Sequence, residues 1–101
     1  MVPLPPNDPG LLVLLSLASA PRHGHGILLD IADFAGVRLG PGTLYGAISR
    51  LEAEGLIQAI APEGRRRPYR LTDRGDSLLR QRLDGLERTV RVGRRRVAVG
   101  R

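Results

Sequence analysis

Cysteine is absent from the chain, which excludes disulfides, thiolate metal sites and cysteine nucleophiles. Small secreted domains often need such staples, so this composition predicts an intracellular, cytoplasmic protein. Tryptophan and lysine are missing too. All 16 basic residues are arginine, and the aromatics are Phe34, Tyr45 and Tyr69 alone. No apolar run reaches the roughly 20 residues that cross a bilayer, so no membrane partner is expected. The most hydrophobic run, GLLVLLSLASA from Gly10 to Ala20, lacks the preceding basic segment of a signal peptide and predicts a buried helix.

Patterns that carry catalysis are also lacking. The serines and aspartates form no nucleophile motif, the glycines of HGHG do not follow a strand, and GPGTLYG lacks the lysine and hydroxyl residue of a phosphate-binding Walker loop. His23 and His25 stand two apart with no further ligand at recognisable spacing, so no metal site is expected. His23 is expected instead to close a turn through a hydrogen bond. A chain of 101 residues supplies one small core and little volume for a closed substrate pocket. These features predict no enzyme, no catalytic residues and no cofactor.

What is present is a strong charge asymmetry. Residues 1–50 balance three arginines with three aspartates, whereas residues 51–101 hold thirteen arginines against seven carboxylates and supply the whole formal charge of +6. Guanidinium groups suit phosphate because their donors form a fixed fork. A positive surface alone, however, establishes only a general affinity for anions.

The chain reads as a series of short elements. MVPLPPNDP is an extended lead-in, since its prolines prevent a regular helix. Asp8 can cap a first helix with Pro9 in its first turn, running to about Ser19. Leu11, Leu12, Leu14, Leu15 and Leu17 nearly encircle that helix, which predicts cover from a second subunit. A second helix is expected from about His25 to Phe34 and a very short strand at Val37–Leu39. A third helix spans Pro41 to about Glu54. Leu56–Ala61 and Pro68–Leu71 read as two strands joined by an exposed turn with the tip EGRRR.

Thr72 then caps a fourth helix with Asp73 and Asp76 at its positive end. In it Leu79, Leu83, Leu86 and Val90 recur as a helix-pairing seam. From Arg91 onward the two glycines and weak periodicity predict a frayed tail.

This order predicts a mainly α fold with a small β-hairpin, a winged helix-turn-helix with a C-terminal dimerisation helix. Residues 1–72 would form the arm and DNA-binding domain, and residues 73–101 the dimerisation helix and basic tail. Leu11, Leu12 and Leu15 of the first helix join Leu79, Leu83, Leu86 and Val90 as candidate dimer contacts.

The third helix carries the candidate chemistry. Its start exposes backbone amides near Gly42 and Thr43 that can receive a phosphate. Positions 43, 46, 47 and 50 follow helical spacing, and Gly46 and Ala47 lack bulk, so Thr43 and Arg50 become candidate readers of a DNA groove with Ser49 beside them. The same small residues could instead make room for another helix of the protein. Tyr45 either packs its ring on the second helix and aims its hydroxyl at a phosphate, or is a partly buried aromatic. Arg65, Arg66, Arg67 and Arg70 place guanidinium groups where a wing follows a phosphate backbone or enters a minor groove.

Across roughly Gly10 to Leu79 the sequence resembles the PadR family of bacterial transcriptional regulators. PGTLYGAISRLEAEGLI from Pro41 to Ile57 and RRRPYRLTDRG from Arg65 to Gly75 carry that resemblance, in the segments Leu44-Tyr45, Arg50-Leu51-Glu52, Gly55-Leu56-Ile57 and Leu71-Thr72 through Gly75. His23-Gly24 matches the family's HG, whereas His25 stands where an aromatic is usual. The resemblance implies a homodimeric repressor that binds a double-stranded, partly palindromic DNA operator, with a small-molecule effector of unidentified chemistry. The short final helix and missing tryptophan argue against a drug-stacking pocket. Other readings are a winged-helix protein-protein interaction module without specific DNA binding, and RNA binding, which the three aromatics support poorly.

Overall fold

A computed structural model describes residues 8–61 and 64–100. The expected extended lead-in over residues 1–7, the 62–63 part of the hairpin turn and the last residue of the basic tail lie outside the described residues.

The first helix, α1, spans Pro9–Ser19, and the Asp8 carboxylate accepts a hydrogen bond from the Leu11 amide at 3.0 Å. Leu11, Leu12, Val13, Leu14 and Leu17 are all buried, so nearly every face of the helix is covered. The cover comes from the chain itself. The helix packs against α2 (Gly24–Ala35), α3 (Pro41–Ala53), the strand at Pro68–Leu71 and the helix at Asp73–Val99. A second subunit is therefore not needed to bury Leu11 and Leu12, and both belong to the core of their own domain.

The sheet has three strands in the order β1 (Arg22–His23), β3 (Pro68–Leu71) and β2 (Ile57–Ala59), with both pairings antiparallel. Arg22 faces Tyr69 and His23 faces Pro68 across the first pairing; Gln58 faces Arg70 across the second. Val37–Leu39 forms no strand. Val37 and Leu39 do turn inward while Arg38 faces solvent, but the segment has no hydrogen-bonded partner, and the free edge of β3 is taken by the two residues before α2. Alternating burial without a ladder is an extended linker.

Helix α2 starts on His23, whose Nδ1 accepts from the Gly26 amide at 3.2 Å, and ends on Gly36 at φ 67°. Ile27 and Ile31 anchor it in the core, while Phe34 lies largely outside. Between α1 and α2, Arg22 donates to the Ser16 carbonyl at 3.3 Å and to the Ser19 hydroxyl at 3.0 Å, and pairs with Asp30 at 3.6 Å. One guanidinium thus closes the carbonyl end of α1 and ties it to α2.

Helix α4, Asp73–Val99, begins on Thr72, whose hydroxyl accepts from the Gly75 amide at 3.0 Å and donates to the Gly55 carbonyl at 2.7 Å. Gly75 presses on the Leu56 carbonyl so closely that no Cβ fits between them. The helix has 27 residues, about 40 Å at 1.5 Å per residue, and it accounts for the elongated 57 × 27 × 26 Å outline. The frayed tail expected from Arg91 is therefore helical to Val99. A single Gly93 costs only about 1 kcal/mol relative to alanine. Arginine is a strong helix former, and Glu87 pairs with Arg91 at 3.6 Å one turn before the glycine.

Candidate nucleic-acid interface

Helix α3 is held by Leu44, Ala47, Ile48 and Leu51, all buried. Ala47 was expected on the outer face and is 2% exposed. Three residues after Leu44 and four before Leu51, it shares their side of the helix and packs in the core. Gly42, Thr43, Tyr45, Gly46, Ser49 and Arg50 lie on the exposed side.

A Cβ built on Gly42 or Gly46 meets no atom within 4 Å. No other helix among the described residues uses the space, so their packing does not account for the small residues. The cap residue Gly40 makes no side-chain hydrogen bond, and the first described bond to its carbonyl comes from the Leu44 amide at 3.0 Å. The amides of Gly42 and Thr43 precede that bond and form the electropositive tip of the helix.

Tyr45 is half exposed, and its hydroxyl and ring lean onto Gly24, the first residue of α2. Tyr45 thereby bridges the two helices. Beyond it, Arg65, Arg66, Arg67 and Arg70 are exposed on the wing, and Arg70 Nη2 donates to Gln58 Oε1 at 2.8 Å across the β2–β3 pairing. Ion pairs among the described residues join Arg22 to Asp30, Arg80 to Asp76 and Arg91 to Glu87. None of Arg50, Arg65, Arg66, Arg67 or Arg70 is tied up in this way, which leaves their charge available to an anion.

Between the wing and the start of α2 lies an open cleft of about 340 Å³ lined by His23, His25, Tyr45 and the three wing arginines. His23 Nε2 stands 3.2 Å from Arg66 Nη1. Sequence reasoning gave His23 only a turn-closing bond, which it makes as the α2 cap. Its place beside the wing depends on the β1–β3 pairing, and a two-residue strand leaves no periodic signal.

The candidate dimer contacts divide. Leu11, Leu12 and Leu79 are 2%, 1% and 4% exposed in the isolated chain, so its own core consumes them. Leu15 and Leu86 are partly buried, whereas Leu83 and Val90 lie open on α4. Beside them a groove of about 490 Å³ runs between Leu11 of α1 and Leu78, Gly85 and Leu86 of α4.

A three-helix core, a hairpin wing and an unobstructed third-helix face define a winged helix-turn-helix protein. The chain belongs to the PadR-like family of transcriptional regulators, whose sequence pattern matches residues 12–81. This is a family of regulators and not of enzymes. The chain is 41% identical over 94 residues to the transcriptional regulator Rv3488 of Mycobacterium tuberculosis, covering 87% of each chain. It is 45% identical over 82 residues to an uncharacterised 37.1 kDa protein in transposon TN4556 of Streptomyces fradiae, covering 81% of this chain but only 24% of that protein's length. A PadR family transcription regulator from Clostridium difficile shares the fold at TM-score 0.78 and 22% identity, over 85% of this chain and 94% of that one. No helix among the described residues is long and apolar enough to cross a membrane.

Proposed function

We propose that this PadR-family regulator is a cytoplasmic homodimer that binds a specific duplex DNA operator and represses transcription. One observation carries the reading: among the described residues, nothing outside the local helix backbone lies within 4 Å of a Cβ added at Gly42 or Gly46 of α3, and the wing arginines next to Tyr45 have no ion-pair partner. In this reading Gly46 lets the helix backbone enter a major groove, and Thr43, Ser49 and Arg50 reach base edges. The amides of Gly42 and Thr43, the Tyr45 hydroxyl, and Arg65, Arg66, Arg67 and Arg70 meet phosphates.

Residues 1–72 supply the DNA-reading unit and residues 73–101 the pairing arm. Leu83, Leu86 and Val90 continue through Gly93 and Val97 at alternating spacings of about four and three residues, the repeat of a paired helix. Leu83, Val90 and Val97 are 41%, 52% and 62% exposed in the single chain, apolar surface that a second copy would cover.

The test is a footprint over the DNA upstream of the chain's own coding region, with mixed-sequence duplex as competitor at matched salt. A two-fold protected site that resists competition is the expected result. Equal displacement by mixed-sequence duplex rules out specificity, since phosphate attraction alone is indiscriminate.

A further inference from the structure

We propose that His23 and Arg66 together hold one phosphate of the DNA backbone, in the cleft between the wing and the start of α2. The proposal rests on the DNA reading above and adds a ligand, His23, outside the recognition helix and the wing.

The reasoning starts from an imbalance of donors. A neutral imidazole has one nitrogen with a free lone pair, and its other nitrogen carries a proton. Both ring nitrogens of His23 face donors: Nδ1 faces the Gly26 amide at 3.2 Å, and Nε2 faces Arg66 Nη1 at 3.2 Å. Neither the amide N–H nor the guanidinium can accept a hydrogen bond. The ring therefore satisfies one of the two.

The helix backbone fixes the Gly26 amide, whereas Arg66 is an exposed, flexible side chain. Nδ1 is thus the acceptor, and Nε2 bears the proton. In that tautomer Nε2 and Arg66 Nη1 are two donors 3.2 Å apart without an acceptor between them. An anionic oxygen placed there accepts from both at once.

The surroundings favour the same occupant. Arg65, Arg67, His25 and Tyr45 line the cleft, and no carboxylate does so among the described residues. Tyr45 connects the cleft to the exposed side of α3, so an oxygen held here belongs to the backbone flanking the groove that α3 would enter. Two residues of β1 fix His23 beside the wing through the pairing with β3. A phosphate bridging His23 and Arg66 would accordingly link the wing tip to the helical core.

The test is a double-mutant cycle with His23→Asn and Arg66→Ala in the full chain, measured on mixed-sequence duplex and on the footprinted site. Asparagine is a good N-cap, so His23→Asn keeps the start of α2 while removing the imidazole N–H; an unchanged melting temperature checks this. Each single change is expected to weaken duplex binding about tenfold, the scale of one hydrogen bond to a charged group. The double variant should be no weaker than Arg66→Ala within about twofold, because both side chains hold the same oxygen.

Losses that multiply, or an unaffected His23→Asn, overturn the shared phosphate even if specific DNA binding stands. Coupling on mixed-sequence duplex without any protected operator upholds the phosphate contact while the specificity reading fails. A wild-type chain that retains no duplex overturns both. Inorganic phosphate titrated without DNA, followed by NMR at His23 Nε2, separates the remaining source. Saturation there with unchanged duplex affinity in both variants assigns the cleft to a free anion and overturns the proposal.

Discussion

Tyr45 on α3 lies so close to Gly24 at the start of α2 that a Cβ on Gly24 would overlap its hydroxyl and come within 2.7 Å of ring carbon Cζ. The missing side chain at position 24 therefore sets the distance between the two helices of the helix-turn-helix and the tilt of the ring between them. Gly75 shows the same crowding against a different kind of atom, the Leu56 backbone carbonyl.

That difference predicts unequal costs. Gly24→Ala displaces a half-exposed side chain that can swing outward, whereas Gly75→Ala pushes on backbone that also receives the Thr72 amide at 3.1 Å. Overpacking costs about 1–3 kcal/mol, and Gly75→Ala should fall at the upper end with Gly24→Ala at the lower. Denaturant midpoints measure both. Combining Gly24→Ala with Tyr45→Ala should recover most of the Gly24→Ala loss, and failure to do so would show that the ring is not what the new methyl group meets.

Gly46 supports the opposite prediction. It lies inside α3 with nothing within 4 Å of an added Cβ, so Gly46→Ala should raise stability by up to about 1 kcal/mol through helix propensity. The methyl group stands where the proposed groove floor would be. Operator affinity should therefore fall while the melting temperature rises, a split that a purely structural glycine would not produce. Calorimetry paired with a binding titration reads both quantities on one sample.

The helix ends were legible because local chemistry marks them: Asp8-Pro9 for α1, Pro41 and the following Gly55 for α3, and Thr72 for α4. Ala47 was misread as outward-facing because an alanine reveals little by itself, although its spacing from Leu44 and Leu51 puts it inside. The strand at Arg22–His23 could not be read, because its partners Tyr69 and Pro68 lie far along the chain and two residues carry no period. At the C-terminus, Gly93 was weighed as a stop although arginines and an i, i+4 ion pair outweigh one glycine in a helix. The case against an effector site rested partly on a short final helix, and it weakens because the helix continues to Val99, about two and a half turns past Val90.

Arg50 and Arg67 should separate base reading from phosphate attraction. Both are exposed and lie outside every ion pair among the described residues, but Arg50 is on α3 and Arg67 on the wing. Arg50→Ala is expected to cost about 1–3 kcal/mol on the operator and to relax specificity at one position. Arg67→Ala should weaken all duplexes similarly and lower the slope of log affinity against log salt by about one. Titrations at several salt concentrations on operator and mixed-sequence DNA distinguish these outcomes, and identical profiles for the two variants would remove Arg50 from base reading.

The pairing arm makes a prediction that depends on burial rather than on sequence period alone. Leu79 and Leu83 are consecutive members of the same repeat, yet Leu79 is 4% exposed and Leu83 is 41% exposed. Leu79→Asp would bury an unpaired charge in the domain core and should unfold the chain. Leu83→Asp should leave the fold intact and place two like charges across the proposed helix pair. Sedimentation at micromolar concentration should then give about 11.0 kDa for Leu83→Asp and about twice that for the wild type. Ending the chain after Val90 removes Gly93 and Val97 from the seam and should weaken the dimer without lowering the monomer's stability, because no residue beyond Leu86 contributes to the described core. A truncated chain that dimerises as tightly as the full one would confine the contact to Leu83, Leu86, Val90 and the α1–α4 groove.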